Sequence, residues 1–247
     1  MSKQNKKCSE EVRILGYGEI GKTIAKFYEN PKIKDLNRND DFEKLKVLHI
    51  CIPWSDGFIK IVAKEIEEAK PYMVIIHSTV MPETTHKLNK IFKDSPVIVH
   101  SPIRGTHPDL YLGVKTFVKY IGADSKKAGE IAKEHLESLG LKVKVLQSSL
   151  ATELGKLFDT SYYGLCIAWH GEMKEICDKA GVNFEETAID FNRTYNEGYE
   201  KLGKKNVIRP VLYPPGGRIG GHCVVPNSKI LKEYQESKAL DLILKYQ

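Results

Sequence analysis

Cys223 follows directly on a glycine-rich turn, Gly216-Gly217-Arg218-Ile219-Gly220-Gly221-His222. Of the five cysteines, it alone sits in a loop context suited to reactivity, and a cysteine attacks as its thiolate. Near the other end of the chain, Gly16-Tyr17-Gly18-Glu19-Ile20-Gly21 has the spacing of a dinucleotide fingerprint. Its first glycine permits a tight turn, its second lets the backbone approach a pyrophosphate, and its third allows a helix to pack closely on a strand. The helix that opens there offers free N–H groups to the phosphates. In this order the two elements imply a nicotinamide cofactor brought to a thiol nucleophile.

Further residues fit that chemistry. Asp35 ends the second strand, where a carboxylate would hold the adenosine ribose and favour NAD over NADP. Arg38 follows and could instead meet a 2′-phosphate, so NADP stays open. Residues after parallel strands line the cofactor crevice, which brings in Pro53, Ser78 and Thr79. Arg104-Gly105-Thr106-His107 and Arg218, with Gly220 and Gly221, offer an anion site for a negatively charged small-molecule substrate.

The elements that must position these residues are legible as alternating strands and helices over residues 11 to 147. Strands are expected at 12–15, 32–36, 47–52, 73–77, 96–100, 116–121 and 142–146, with helices after the glycine turn and at 58–69, 83–93 and 125–139. This is an α/β pattern: a Rossmann-like, doubly wound, mostly parallel sheet. From Ser149 to Ala180 the apolar residues keep helical spacing until Gly181, a long helix. A second helix at 184–202, a Pro/Gly-rich stretch at 209–221 and a last helical segment after Pro226 follow. The expected division is a dinucleotide-binding domain over 1–148, then a connecting helix and small helical cap over 149–247. The apolar stripe of 149–180 outruns what a small cap covers, which suggests a homodimer.

Composition narrows the class. The 247 residues are 41% hydrophobic and 28% charged, an ordinary globular balance. No apolar run spans a bilayer and no secretory signal is read at the N-terminus, so no membrane role and a cytoplasmic location are expected. The net charge of +6 comes from scattered lysines, without the basic patch and interleaved aromatics of a nucleic-acid binder. The cysteines have no Cys-x-x-Cys, and no metal site is expected. Cys51, Cys166 and Cys177 read as small core residues and Cys8 as a tail residue.

The sequence resembles the UDP-glucose/GDP-mannose dehydrogenase family over most of its length. Four stretches carry the likeness: the glycine fingerprint, His77-Ser78-Thr79-Val80-Met81-Pro82, Glu153-Leu154-Gly155-Lys156-Leu157, and Gly220-Gly221-His222-Cys223. The resemblance implies a four-electron oxidation of a sugar-nucleotide alcohol to an acid with two NAD per turnover, in a homodimer. Cys223 corresponds to the thiol that captures the aldehyde as a thiohemiacetal. Lys156 corresponds to the lysine that stabilises charge on the substrate oxygen, and Thr79 to a threonine near the nicotinamide and a catalytic water. Three positions depart from the family: Thr160 stands where it has a water-positioning asparagine, Asn227 where it has an aspartate, and Ile103 where Ser-Pro-Glu has its glutamate. The family also continues past the cysteine into a nucleotide-binding domain, whereas this sequence ends at Gln247, so a shortened, divergent member is expected. Two other readings stay open: a two-electron β-hydroxyacid dehydrogenase using the lysine without the cysteine, and a dinucleotide-binding module that has lost catalysis.

Overall fold

The computed structural model describes residues 11–93, 95–105 and 108–247; Cys8, Thr106 and His107 lie outside the described residues. Strands β1 (Val12–Leu15), β2 (Lys32–Asp35), β3 (Arg38–Asn39), β4 (Val47–Ile50), β5 (Met73–Ile76), β6 (Val97–His100), β7 (Lys119–Gly122) and β8 (Val143–Leu146) form a sheet in the order β3-β2-β1-β4-β5-β6-β7-β8. The run β2-β1-β4-β5-β6 is parallel. β3 joins β2 antiparallel, β7 joins β6 antiparallel, and β8 lies parallel to β7. The sheet is the expected mostly parallel one.

Strands β1, β4 and β5 are buried at every position, as their near-continuous apolar sequences require when helices cover both faces. On one face Val12, Ile14, Val47, Ile75, Val99 and Ile121 pack beneath α1 (Glu19–Ala25), α4 (Leu110–Thr116) and α5 (Lys126–Ser138). On the other, Leu48, Ile50, Val74, Ile76 and Ile98 pack beneath α2 (Phe58–Ala69) and α3 (Thr84–Phe92). The expected helices correspond to α2, α3 and α5. Sequence reasoning missed α4, a short segment carrying Gly113, and the two-residue strand β3.

The chain divides into two compact units, the first ending at Lys156 and the second running from Leu157 to Gln247. The expected boundary at 148/149 coincides with the start of α6 (Ser149–Ala180). Three contacts fix the first turns of α6 within the first unit. Asp124 accepts from the Ser149 N–H at 3.0 Å and from its hydroxyl at 2.6 Å, satisfying a free helix-end donor. Gly122 lets the helix approach β7, since a Cβ there would lie 2.1 Å from the Thr152 hydroxyl. The fully buried Glu153 carboxylate accepts from the N–H groups of Glu83 (2.6 Å) and Thr85 (2.9 Å) and from the Thr85 hydroxyl (2.7 Å).

In the second unit a π-helical turn (Glu185–Ile189) runs into α7 (Asp190–Lys201), and α8 (Val224–Tyr234) and α9 (Lys238–Lys245) follow the Pro/Gly-rich stretch. α8 starts before Pro226, because the first turn of a helix tolerates proline, whose missing N–H would have no intrahelical partner there. Two glycines of α6 receive these helices: a Cβ at Gly164 would lie 2.4 Å from Val224, and one at Gly171 would lie 2.6 Å from Tyr246. Lys245 then pairs with Glu172 and Glu175. Among the described residues, no helix is long and apolar enough to cross a membrane.

Replacing Glu153 by alanine strips the acceptor from buried donors at the start of α3. The expected cost is about 3 kcal/mol, read as a lower urea midpoint at unchanged m-value.

Candidate functional site

The parallel strands reverse their winding direction at β1 and β4, which opens a crevice beyond their C-terminal ends. The glycine turn lies there. Gly16 has φ +93°, and a Cβ on it would stand 2.9 Å from the Cys51 backbone. At Gly21 a Cβ would stand 2.0 Å from the Gly16 carbonyl oxygen, so only glycine lets α1 close on β1. Gly18 differs: nothing lies within 4 Å of where its Cβ would be, and it is exposed. Two glycines are thus required by the fold, while the third leaves open space at the start of α1, which suits a pyrophosphate.

Asp35 is turned into this loop. Its carboxylate accepts from the Tyr17 N–H and, at 2.7 Å, from the Leu36 N–H, and these backbone donors hold its pKa below the ordinary value. Two bonds leave a carboxylate with acceptor capacity for further donors. Arg38 is engaged with Asp40 through two bonds of 2.8 and 2.7 Å, which hold the Asp40 carboxyl down to about 2. Glu19 opens α1 exposed, Ile20 is half-buried against the core, and Pro53, exposed, follows β4.

Ser78 and Thr79 follow β5 at the same edge of the sheet. Ser78 is buried and its hydroxyl donates to the Ile52 carbonyl at 2.6 Å, while Thr79 remains half-buried. Lys156, one turn beyond Glu153 on α6, acts electrostatically on His100 and Lys119, both at this edge. Arg104 lies against the rings of Phe117 and Tyr120, 5.4 and 5.6 Å from their centroids, a cation–π arrangement. Ile103 faces the core at 5% exposure, so the loop after β6 presents no carboxylate at that position.

In the second unit Cys223 is exposed at the N-cap of α8. Its carbonyl accepts from the Asn227 N–H at 3.0 Å. The Asn227 side-chain amide in turn donates to the Thr160 hydroxyl at 3.1 Å. Two of the three positions that depart from the family pattern, Thr160 and Asn227, are therefore partners in this fold, with Asn227 one turn along α8 from the cysteine. Gly220 and Gly221 are exposed, as is Arg218, and Gly221 has φ +86°. Of the cysteines read as core residues, Cys51 and Cys177 are buried and Cys166 is half-buried.

Sequence reasoning missed a buried polar cluster under the crevice. His49 (β4), His77 (after β5) and His100 (end of β6) are at most 1% exposed, and Lys119 (start of β7) is 3% exposed. His100 bonds the Thr152 hydroxyl at 2.8 Å and the Ser78 carbonyl at 3.1 Å. Burial pushes the pKa values of His49 and His77 well down and that of His100 down to about 3. The available signal was one histidine in each of three neighbouring apolar strand runs.

Strand order and glycine turn, with Asp35 turned into that loop, together define a Rossmann-like α/β fold with a helical unit appended. No protein-family model matches the chain. The UDP-N-acetyl-D-mannosamine dehydrogenase of Methanocaldococcus jannaschii is 29% identical over 236 residues, covering 89% of this chain and 52% of that relative. The structure of UDP-D-ManNAc dehydrogenase from Pyrococcus horikoshii superposes with a TM-score of 0.78 at 18% identity, over 96% of this chain and 68% of that one. The 3-hydroxyisobutyrate dehydrogenase of Mycobacterium tuberculosis gives 0.66 at 13% identity, over 97% and 94%. The resemblance to nucleotide-sugar dehydrogenases is thus borne out in the part of them that the chain covers. The chain spans about half the length of the curated relatives it matches.

Gly18→Ala adopts the native φ of −70° without strain and meets no neighbour. Its stability should stay within about 1 kcal/mol of the parent, while dinucleotide affinity in a calorimetric titration falls about tenfold or more. The buried histidines set a second expectation. Their folded pKa values lie below the unfolded value of about 6.5, so their contribution is intact above that pH and is withdrawn as pH falls. Each removes up to ~1.4 kcal/mol per pH unit below about 6.5. Urea midpoints measured from pH 7 to 4 should fall, and less steeply in His100→Asn.

Proposed function

We propose that the chain is an NAD-dependent oxidoreductase acting on an alcohol of a sugar or sugar nucleotide. The observation that carries this reading is the cradle at β1 and β4: a glycine turn sealed by close approach, open space at Gly18, and Asp35 directed into the loop. These residues fit a dinucleotide. Arg38, already forked onto Asp40, is poorly suited to a 2′-phosphate, which favours NAD over NADP. Bound there, the cofactor would accept a hydride from the substrate carbon.

The remaining roles belong to the chain's own side chains. Lys156 stabilises negative charge developing on the substrate oxygen, by electrostatics arranged in advance. Thr79 lies beside the cofactor crevice and orients groups there. The Cys223 thiolate adds to the aldehyde carbon, giving a thiohemiacetal on sulfur once the carbonyl oxygen takes a proton. Arg218, Gly220 and Gly221 flank that thiol and, with Arg104 and His107, are the candidates for an anionic substrate. Thr160 and Asn227, bonded to each other, supply no base, because neither an amide nor a hydroxyl gains a proton near neutrality.

The likeness to the 3-hydroxyisobutyrate dehydrogenase, which extends over 94% of that chain, favours a second reading, a two-electron oxidation independent of Cys223. The neutral Thr160–Asn227 pair agrees with a third, a dinucleotide-binding protein without catalysis. NADH formation against UDP- and GDP-sugars, sugar alcohols and β-hydroxyacids separates them. Two NADH per substrate, lost in Cys223→Ala, are expected. One NADH with no effect of the mutation supports the two-electron enzyme, and none with NAD binding intact supports the third.

We also infer a homodimer through α6. Phe158, Tyr162, Trp169 and Ile176 are all at least half exposed at helical spacing, an apolar stripe suited to a second copy. Sedimentation velocity should give a dimer, and Tyr162→Glu combined with Trp169→Glu should give a monomer with an unchanged circular dichroism spectrum.

A further inference from the structure

The buried cluster under the crevice is a continuous chain of hydrogen bonds. The Tyr28 hydroxyl lies 2.8 Å from Nε2 of His135 on α5 and 2.8 Å from Nε2 of His49. His49 Nδ1 lies 2.9 Å from His77 Nε2. His77 Nδ1 lies 3.2 Å from the Lys119 amine and 2.9 Å from the Ser101 carbonyl. Lys119 donates to the Ser101 carbonyl and, at 2.9 Å, to that of Pro102. Every member is buried, and His135, at 8%, is the most exposed of them.

With a hydrogen bond at every link from His135 to Lys119, the donors along this chain can run in either of two directions. In one, His135 Nε2–H donates to Tyr28, Tyr28 to His49 Nε2, His49 Nδ1–H to His77 Nε2, and His77 Nδ1–H to the lone pair of a neutral Lys119. In the other the links from His135 to Lys119 are reversed, Lys119 is an ammonium, and the bond from His77 Nδ1 to the Ser101 carbonyl is lost. We propose that His135, Tyr28, His49, His77 and Lys119 form a proton relay whose setting decides how firmly the Ser101–Pro102 backbone, and with it the loop carrying Arg104, is held at the edge of the sheet.

The transfer balances. A proton taken up on His135 Nδ1 is matched by loss of its Nε2 proton to Tyr28. Tyr28 passes its own proton to His49 Nε2, His49 passes Nδ1–H to His77 Nε2, and His77 passes Nδ1–H to Lys119. One proton enters, one ammonium forms, both central histidines exchange tautomers, and no electron moves. In the neutral setting the Ser101 carbonyl receives both His77 N–H and Lys119 N–H; in the charged setting it receives Lys119 alone.

The groups facing the relay bias it toward the neutral setting. Burial lowers Lys119 well below its ordinary pKa, and Cys51 and Lys156 act on it with opposite sign. Burial, His135 and Lys119 lower His49; burial, Lys119, His49 and His100 lower His77. The relay is therefore loaded by acid, and the charged setting appears as pH falls.

Nitrogen-15 spectra of labelled histidines and carbon-13 spectra of labelled lysine in the free protein test this, independently of any reaction. Expected near neutrality are Nδ1–H tautomers for both His49 and His77 and an uncharged Lys119. On acidification the pyrrole-type and pyridine-type nitrogen shifts of both rings should exchange at one midpoint, shared with the Lys119 Cε shift. Tyr28→Phe, which keeps the ring in place, should abolish the shared midpoint and leave the tautomers of His49 and His77 fixed. An ammonium Lys119 throughout, fixed tautomers while Lys119 titrates, or a shared midpoint that survives Tyr28→Phe would each overturn the relay.

Discussion

A carboxylate taken out of water keeps its place only where donors meet it, and Glu153 is where this fold depends most on that rule. Burial pushes its pKa up, while Thr85 and Glu83 donate three hydrogen bonds that push it back down. Those donors sit at the start of α3, and the acceptor sits on α6 one turn before Lys156. The pairing therefore ties the helix bearing a catalytic candidate to the sheet edge where Thr79 and the cofactor turn emerge. Asp124 on Ser149 and the bare Cα of Gly122 complete the attachment, through one helix cap and one close contact.

The first unit uses polar burial more widely than a dinucleotide fold requires. Buried polar groups are tolerated when fully bonded and costly when not. Under the crevice Tyr28, four histidines and Lys119 find partners among themselves or on backbone carbonyls. Apolar replacements would fill the same volume with less risk, so the cluster is an expense in stability concentrated beneath the residues that shape the crevice.

The glycine turn was legible because two of its glycines, Gly16 and Gly21, answer backbone constraints that no other residue meets. Strands β4 and β5 were legible because burial on both faces demands unbroken apolar runs, and α6 because its spacing persists for about nine turns. What escaped depends on tertiary context. A histidine inside Val47-Leu48-His49-Ile50 reads as strand, and nothing local says that His77 lies 2.9 Å away. Pro226 reads as a helix start, yet α8 begins before it. Arg104 reads as an anion ligand, and nothing local says that the rings of Phe117 and Tyr120 lie beside it. Local signals report what the backbone must do, while partner identity is set by the fold.

The Thr160–Asn227 pair bears on chemistry in a way neither residue does alone. An aspartate and an asparagine in these places would join a charged acceptor to an amide donor. Here the amide is the donor and a hydroxyl the acceptor, and the Thr160 hydroxyl proton is spent on the Leu157 carbonyl at 3.1 Å. The result is a closed pair, bonded without charge, one helical turn from an exposed thiol. Such a pair can hold α8 in register on α6 and so fix where Cys223 stands, but it has no basic lone pair with which to draw a proton from water. Any hydrolytic step at this thiol must take its base from elsewhere or run slowly, whereas addition of the thiolate to a carbonyl needs only the cysteine and a proton source. On the proposed reading, this geometry would favour addition at the thiol over its release, since the neighbouring pair is neutral.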